Sequence, residues 1–162
     1  MLMYRAIRVT TDDYRDFRKA SSKMVLSIYD KKDLLRVYPM EQAVSKRAYE
    51  ESIRTRTKFI QDVLDPDREM YFFLKDDEQI GFFELYYHKG KCDIVEFFVF
   101  DRYHGHGTHM WEIAVEIIKA RKPSRVELWS PYRGAQIFWE KMGFEKVTIN
   151  GVLCYRKKFR YS

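Results

Sequence analysis

Cys92–Phe100 reads CDIVEFFVF, 101–107 reads DRYHGHG, and Thr108–Lys119 reads THMWEIAVEIIK. From Ile94 to Phe100 the run is apolar and aromatic apart from Glu96, and it has strand length. That predicts a strand buried on both faces. Met110, Ile113, Ala114, Ile117 and Ile118 recur at helical spacing and predict a helix with one apolar face. Gly105 and Gly107 lie between the two elements. A strand, a tight glycine turn and a helix start make a place for an anion. The first amides of a helix have no intrahelical partner, and the helix dipole favours negative charge there. Glycine lets a phosphate approach the backbone closely. The same glycines also suit a plain strand–helix turn, and a single GxG does not separate the two readings.

Outward from this stretch, the preceding pattern is extended. Met70–Leu74 and Ile80–Tyr87 read as strands, with turns at KDDE (75–78) and at His88–Lys91. Turns this short imply an antiparallel meander leading into the central strand. On the other side, Lys122, Pro123 and Ser124 form a break. Arg125–Trp129 is then a strand, parallel to the central one because a strand–helix–strand unit connects them. Arg133–Met142 is a short amphipathic helix with Gly143 at its C-cap. Glu145–Ile149 and Val152–Phe159 form a hairpin about Asn150-Gly151, the strongest short turn signal in the chain.

The first part of the chain is helical after a strand at Tyr4–Val9. Thr10 to Asp13 supplies a cap for a helix from Tyr14 to Ile28. A short helical turn is expected at Leu34–Val37, interrupted by Pro39. A long helix follows from Met40 to Leu64. Lys46, Arg47, Arg54, Arg56 and Lys58 lie on its outer face, which reads either as a solvated basic face or as a substrate-facing or nucleic-acid-facing surface.

The chain has 162 residues, which suits one domain spanning 1–162. Hydrophobic residues make up 46% and aromatics 17%, enough apolar material to exclude a disordered chain. No apolar run approaches membrane-spanning length, so no membrane association is expected. The N-terminus has charges within its first residues and no apolar signal core, so no secretory signal is read. Cys92 and Cys154 both fall in strands and read as buried thiols rather than a disulfide, which fits a cytoplasmic location. A net charge of +6 favours an anionic ligand or substrate without selecting nucleic acid.

The order of elements resembles the GNAT superfamily of N-acetyltransferases, across essentially the whole chain. Arg102-Tyr103-His104-Gly105-His106-Gly107 matches that family's acyl-CoA diphosphate motif, Q/R-x-x-G-x-G/A. Ala135–Phe144, AQIFWEKMGF, looks like its late helix, A-x-x-x-Y-E-K-x-G-F. Aligned from the strand side, His104 and His109 take the Arg/Gln and last glycine positions. Aligned from the helix side, Arg102 and Gly107 take them, and Met110 and Trp111 fall on the apolar positions. The fold implied is α/β (α+β): a mixed, mostly antiparallel sheet of about seven strands flanked by helices, splayed between the fourth and fifth strands.

The resemblance implies acetyl-CoA as cosubstrate, with its pantetheine arm along Phe98, Val99 and Phe100. The diphosphate would rest on the loop and helix start: Arg102, His104, Gly105, His106, Gly107 and Thr108, with Trp139 beside the thioester end. No metal is expected, since no cysteine or carboxylate completes a ligand set with the histidines. The family's chemistry is direct attack of an amine on the thioester in a ternary complex. It needs a base for the ammonium proton and a donor for the oxyanion.

Glu96, a carboxylate in an apolar run, is the first candidate base. Asp93 and Glu84 are alternatives. Many members place a tyrosine acid on the late helix where this chain has Trp139. An indole N–H donates a hydrogen bond but is no practical acid. Tyr132 or Tyr103 is the substitute acid, or the thiolate leaves unassisted, with a thiol pKa of about 8.5.

The primary function expected is therefore N-acetyl transfer to a primary amine whose identity the sequence does not reveal. The alternative is a catalytically impaired CoA-binding sensor or interaction module, suggested by Trp139. Nucleic-acid binding through the basic, aromatic tail YRKKFRY (155–161) is a third reading, resting on charge, and nucleic acid is not expected as a partner. The resemblance leaves room for a homodimer.

Overall fold

A computed structural model of the chain describes residues 3–29, 53–101, 104–130 and 133–161. The turn expected at Leu34–Val37 and most of the helix expected from Met40 lie outside the described residues, as do Arg102, Tyr103 and Tyr132.

The strands are β1 (Tyr4–Arg8), β2 (Arg68–Lys75), β3 (Glu78–His88), β4 (Lys91–Val99), β5 (Arg125–Leu128), β6 (Glu145–Ile149) and β7 (Val152–Lys158). They form one seven-stranded sheet in the order β1-β2-β3-β4-β5-β7-β6. Every pairing is antiparallel except β4 with β5, which is parallel. The three hairpins close with two-residue loops, and both loop residues have left-handed φ: Asp76 and Asp77, Lys89 and Gly90, Asn150 and Gly151. Loops with that twist match the right-handed twist of the flanking strands.

The helices are α1 (Tyr14–Tyr29), α2 (Arg56–Leu64), α3 (His106–Ala120) and α4 (Arg133–Lys141). A capping box at Thr10 and Asp13 leads into α1. The sheet divides the core in two. On one face Met110, Trp111, Ala114 and Ile118 of α3 and Trp139 of α4 pack on Phe83, Leu85, Cys92, Ile94 and Tyr155. On the other, Phe17 and Ala20 of α1 and Phe59 of α2 pack on Met70, Phe72 and Phe82. Each large apolar side chain among them contributes about 1.5–3 kcal/mol by leaving water.

Three expectations need correction. The long helix does not run through to Leu64 from Met40. Ile53–Thr55 is not helical, and α2 starts afresh at Arg56. Thr55 is its N-cap, its Oγ1 accepting from the Lys58 amide at 3.2 Å, a bond that rewards extended backbone at the cap. Second, α3 begins at His106, two residues before Thr108, because Gly105 turns the chain with φ of 76°. Third, β4 is not buried on both faces, since Val95 is 40% exposed. Glu84 pairs with Glu96 but Leu85 with Ile94, so Val95 is an extra, bulged residue.

That bulge changes which side chains share a face. Without it Cys92, Ile94, Glu96 and Phe98 would all point the same way. With it, Cys92, Ile94, Phe97 and Val99 face α3 and α4. Glu96, opposite Glu84, turns toward α1.

Candidate active site

β4 and β5 are in register only at Cys92↔Val126 and Asp93↔Glu127. The last pair sets two carboxylates opposite each other, which is unfavourable by itself. Lys91 Nζ offsets it, 3.3 Å from Asp93 Oδ1 and 3.5 Å from Glu127 Oε1. Beyond this clasp β4 continues to Val99 while β5 ends at Leu128, and the strands part. The wedge is a cavity of about 480 Å³, a size suited to a cofactor-sized molecule. Phe97–Val99 and Asp101 wall one side, the first turn of α3 (Gly105–Thr108) closes one end, and Ala135, Phe138 and Trp139 of α4 form the far wall.

The end formed by α3 suits an anion. Its N-cap, Gly105, has no side chain to bond the free amides, so they remain for a ligand. A Cβ at Gly107 would meet the Phe138 ring at 3.3 Å, so glycine is what keeps α3 and α4 at this spacing. His106 is 7% exposed, and its Nδ1 lies 3.0 Å from Tyr4 Oη. Burial and the nearby Lys75 charge lower its proton affinity.

A second, smaller cavity of about 100 Å³ lies on the other face of the sheet, lined by Phe17, Ser21, Met24, Ile53, Arg54, Phe82, Glu84 and Glu96. Glu84 is fully buried. Arg54 Nη2 bonds its Oε1, and Arg68 Nη1 bonds its Oε2 at 2.6 Å. Arg54 Nε also lies 3.4 Å from the buried Asp62. Glu96, directly opposite Glu84, makes no hydrogen bond or ion pair among the described residues. Burial, and then the charge of Glu84, push its carboxyl up to about 7, while Arg54 pulls the other way.

The acetyltransferase (GNAT) family matches residues 32–144, well over half the chain. The chain belongs to the GNAT acetyltransferase family. Solved structures agree in fold. The PaiA N-acetyltransferase of Thermoplasma acidophilum, in complex with coenzyme A, is similar with a TM-score of 0.74 at 16% identity, over 97% of this chain and 99% of that one. A GNAT acetyltransferase of Staphylococcus aureus gives 0.69 at 12%, over 98% and 100%. An aminoglycoside acetyltransferase from an uncultured soil metagenomic sample gives 0.68 at 13%, over 99% of each chain. No curated protein sequence matches.

Within this GNAT fold the expected site residues fall into distinct places. Phe98, Val99, Gly105, His106, Gly107, Thr108 and Trp139 line the large cavity together. Phe100 does not: it packs toward α1, with Lys23 Nζ 4.9 Å from its ring centre. His104 is exposed, 3.3 Å from Asp101. Asp93 lines neither cavity and instead holds His88 Nε2 at 2.5 Å and Lys91. Trp139 is buried among Phe97, Trp111 and Phe144.

Two participants were not anticipated. Arg54, placed from its spacing on the outer face of the expected long helix, turns inward to grip Glu84. The signal for it was Thr55, whose capping chemistry starts a new helix. Tyr4 of the edge strand β1 reaches His106 on the face that α3 covers, and no local pattern marks that contact. Among the described residues no three His, Cys, Asp or Glu side chains gather to hold a metal ion, and no helix is long and apolar enough to cross a membrane.

Proposed function

We propose that this protein is an N-acetyltransferase that moves the acetyl group of acetyl-CoA to a primary amine in a ternary complex. The observation that carries the reading is Glu96. It is a carboxylate without a partner among the described residues, held near a pKa of about 7, on the opposite face of β4 from the large cavity. A base with that proton affinity is matched to neutral pH.

The large cavity fits the cosubstrate. Its uncapped helix amides and the Gly105–Gly107 turn suit a diphosphate, and the β4 side suits a pantetheine arm. The acceptor enters from the α1 side, past Phe17 and Phe82. Glu96 takes the ammonium proton, directly or through a water. The freed amine nitrogen bonds the thioester carbonyl carbon, and a backbone N–H of β4 stabilises the oxyanion. Collapse breaks the C–S bond, the nitrogen gives up its second proton to solvent, and the CoA thiolate leaves and is then protonated. Trp139 does not supply that proton. Tyr132 is the candidate acid on this reading, and unassisted departure is the other route. Within this reading the chain folds as one domain, acts without a metal, and works in the cytoplasm as a monomer or a homodimer.

Trp139 also supports a second reading, a CoA-binding module without turnover. One experiment separates them: purified protein with acetyl-CoA and a panel of primary amines, followed by release of free thiol. Amine-dependent thiol release with a rate rising through pH 7 supports the enzyme. CoA binding without release supports the module, and no CoA binding overturns both.

A further inference from the structure

His106 is the first residue of α3 and lines the large cavity beside Gly105, Gly107 and Thr108. Its Nδ1 is engaged by Tyr4 Oη at 3.0 Å, and its Nε2 makes no hydrogen bond among the described residues. Tyr4 comes from β1, at the far edge of the sheet from the final hairpin. Its ring is held by stacking: Phe73 lies 5.5 Å away at 10°, and His109 4.2 Å away at 14°. The hydroxyl is thereby kept at the imidazole.

The proton count then decides what His106 offers the cavity. A neutral imidazole carries one N–H. If it is on Nδ1, it donates to the tyrosine oxygen, and Nε2 presents a bare lone pair. If Nδ1 accepts from the tyrosine O–H, Nε2 carries the N–H. An anion at the start of α3 repels the first arrangement and attracts the second. Burial, and then the charge of Lys75, lowers the proton affinity of His106, which favours the neutral ring. Its tautomer therefore matters.

We propose that Tyr4 is a positioning residue for the nucleotide: it fixes His106 as the tautomer whose Nε2–H donates to the diphosphate of CoA. The inference rests on the acetyl-CoA reading above. It makes the N-terminal strand, through one hydroxyl, part of the cosubstrate site.

Tyr4→Phe keeps the ring and its stacking and removes only the hydroxyl. CoA affinity by calorimetry should fall about fivefold, the loss of one modest hydrogen bond, with the same fall in kcat/KM for acetyl-CoA and no change in acceptor KM. His106→Gln places an amide nitrogen near the Nε2 position without needing Tyr4. In that background Tyr4→Phe should cost nothing further. Imidazole 15N shifts of the CoA-bound wild type should show a protonated Nε2 and a bare Nδ1. Three results overturn the inference: wild type binds CoA with His106 as the Nδ1–H tautomer, Tyr4→Phe binds CoA as wild type does, or Tyr4→Phe costs as much in the His106→Gln background. Wild type that binds no CoA would instead remove the acetyl-CoA reading itself.

Discussion

Glu84 and Glu96 face each other across β3 and β4, yet only Glu84 is gripped by cations. Two guanidinium groups occupy its oxygens, while Glu96 has no such partner among the described residues. Burial, and then the charge of Glu84, push the Glu96 carboxyl up to about 7. A carboxylate raised toward neutral pH by its surroundings is suited to accept a proton.

If Glu96 is the base, Glu96→Gln lowers kcat by about 100-fold or more, the usual worth of general base catalysis. In wild type, kcat/KM rises with pH to a plateau above about 7, since only the ionised carboxylate accepts a proton. The variant loses that limb. A pH–rate profile of both proteins checks it.

The same group predicts a stability change. Its folded proton affinity is raised above the ordinary 4.5. The native state therefore holds the proton longer than the unfolded chain, and stability falls as pH rises from 4.5 to about 7, then levels. Glu96→Gln removes this slope. At pH 8 the variant should exceed wild type by roughly 1–3 kcal/mol, allowing for partial exposure. Urea denaturation across that range measures it.

Arg54→Met strips one of the two cations from Glu84 and leaves a buried oxygen unpaired. A cost of roughly 3 kcal/mol is expected for breaking such a pair. With the cation gone, Glu96 holds its proton more tightly, so the acid limb of the rate profile moves above that of wild type. Denaturation and the pH profile test the two effects separately.

Gly107→Leu drives a side chain into the Phe138 ring and the cavity between α3 and α4. Losing even one charged contact at the diphosphate lowers CoA affinity by about tenfold. Gly105→Ala has open space, but its φ of 76° is strained for any side chain. It should cost about 1–2 kcal/mol of stability. Calorimetric titration with CoA and thermal denaturation distinguish a blocked site from a strained turn.

Local rules made much of this protein legible in its sequence. The hairpin at Asn150-Gly151, the apolar periodicity of α3 and the glycine turn before it rest on near-neighbour sterics and spacing, so their residues carry the information themselves. The family follows from those elements in order, together with the diphosphate and late-helix motifs. Local spacing was less sure where an apolar run hides a count. The bulge at Val95 leaves no mark in IVEFFVF, because nearly every neighbour there is apolar, yet one extra residue turns Glu96 from the α3 face to the α1 face. Arg54 shows the same limit, since its direction depended on whether the helix passed through Thr55.

The sequence alone determined most of the strands, the apolar face of α3 and the glycine turn before it, since backbone sterics and apolar period act over a few residues. Tertiary structure decided which carboxyl is raised toward neutral pH and which side chain meets His106. Those outcomes depend on desolvation and on side chains brought together from distant parts of the chain, as with Glu84 beside Glu96 and Tyr4 beside His106.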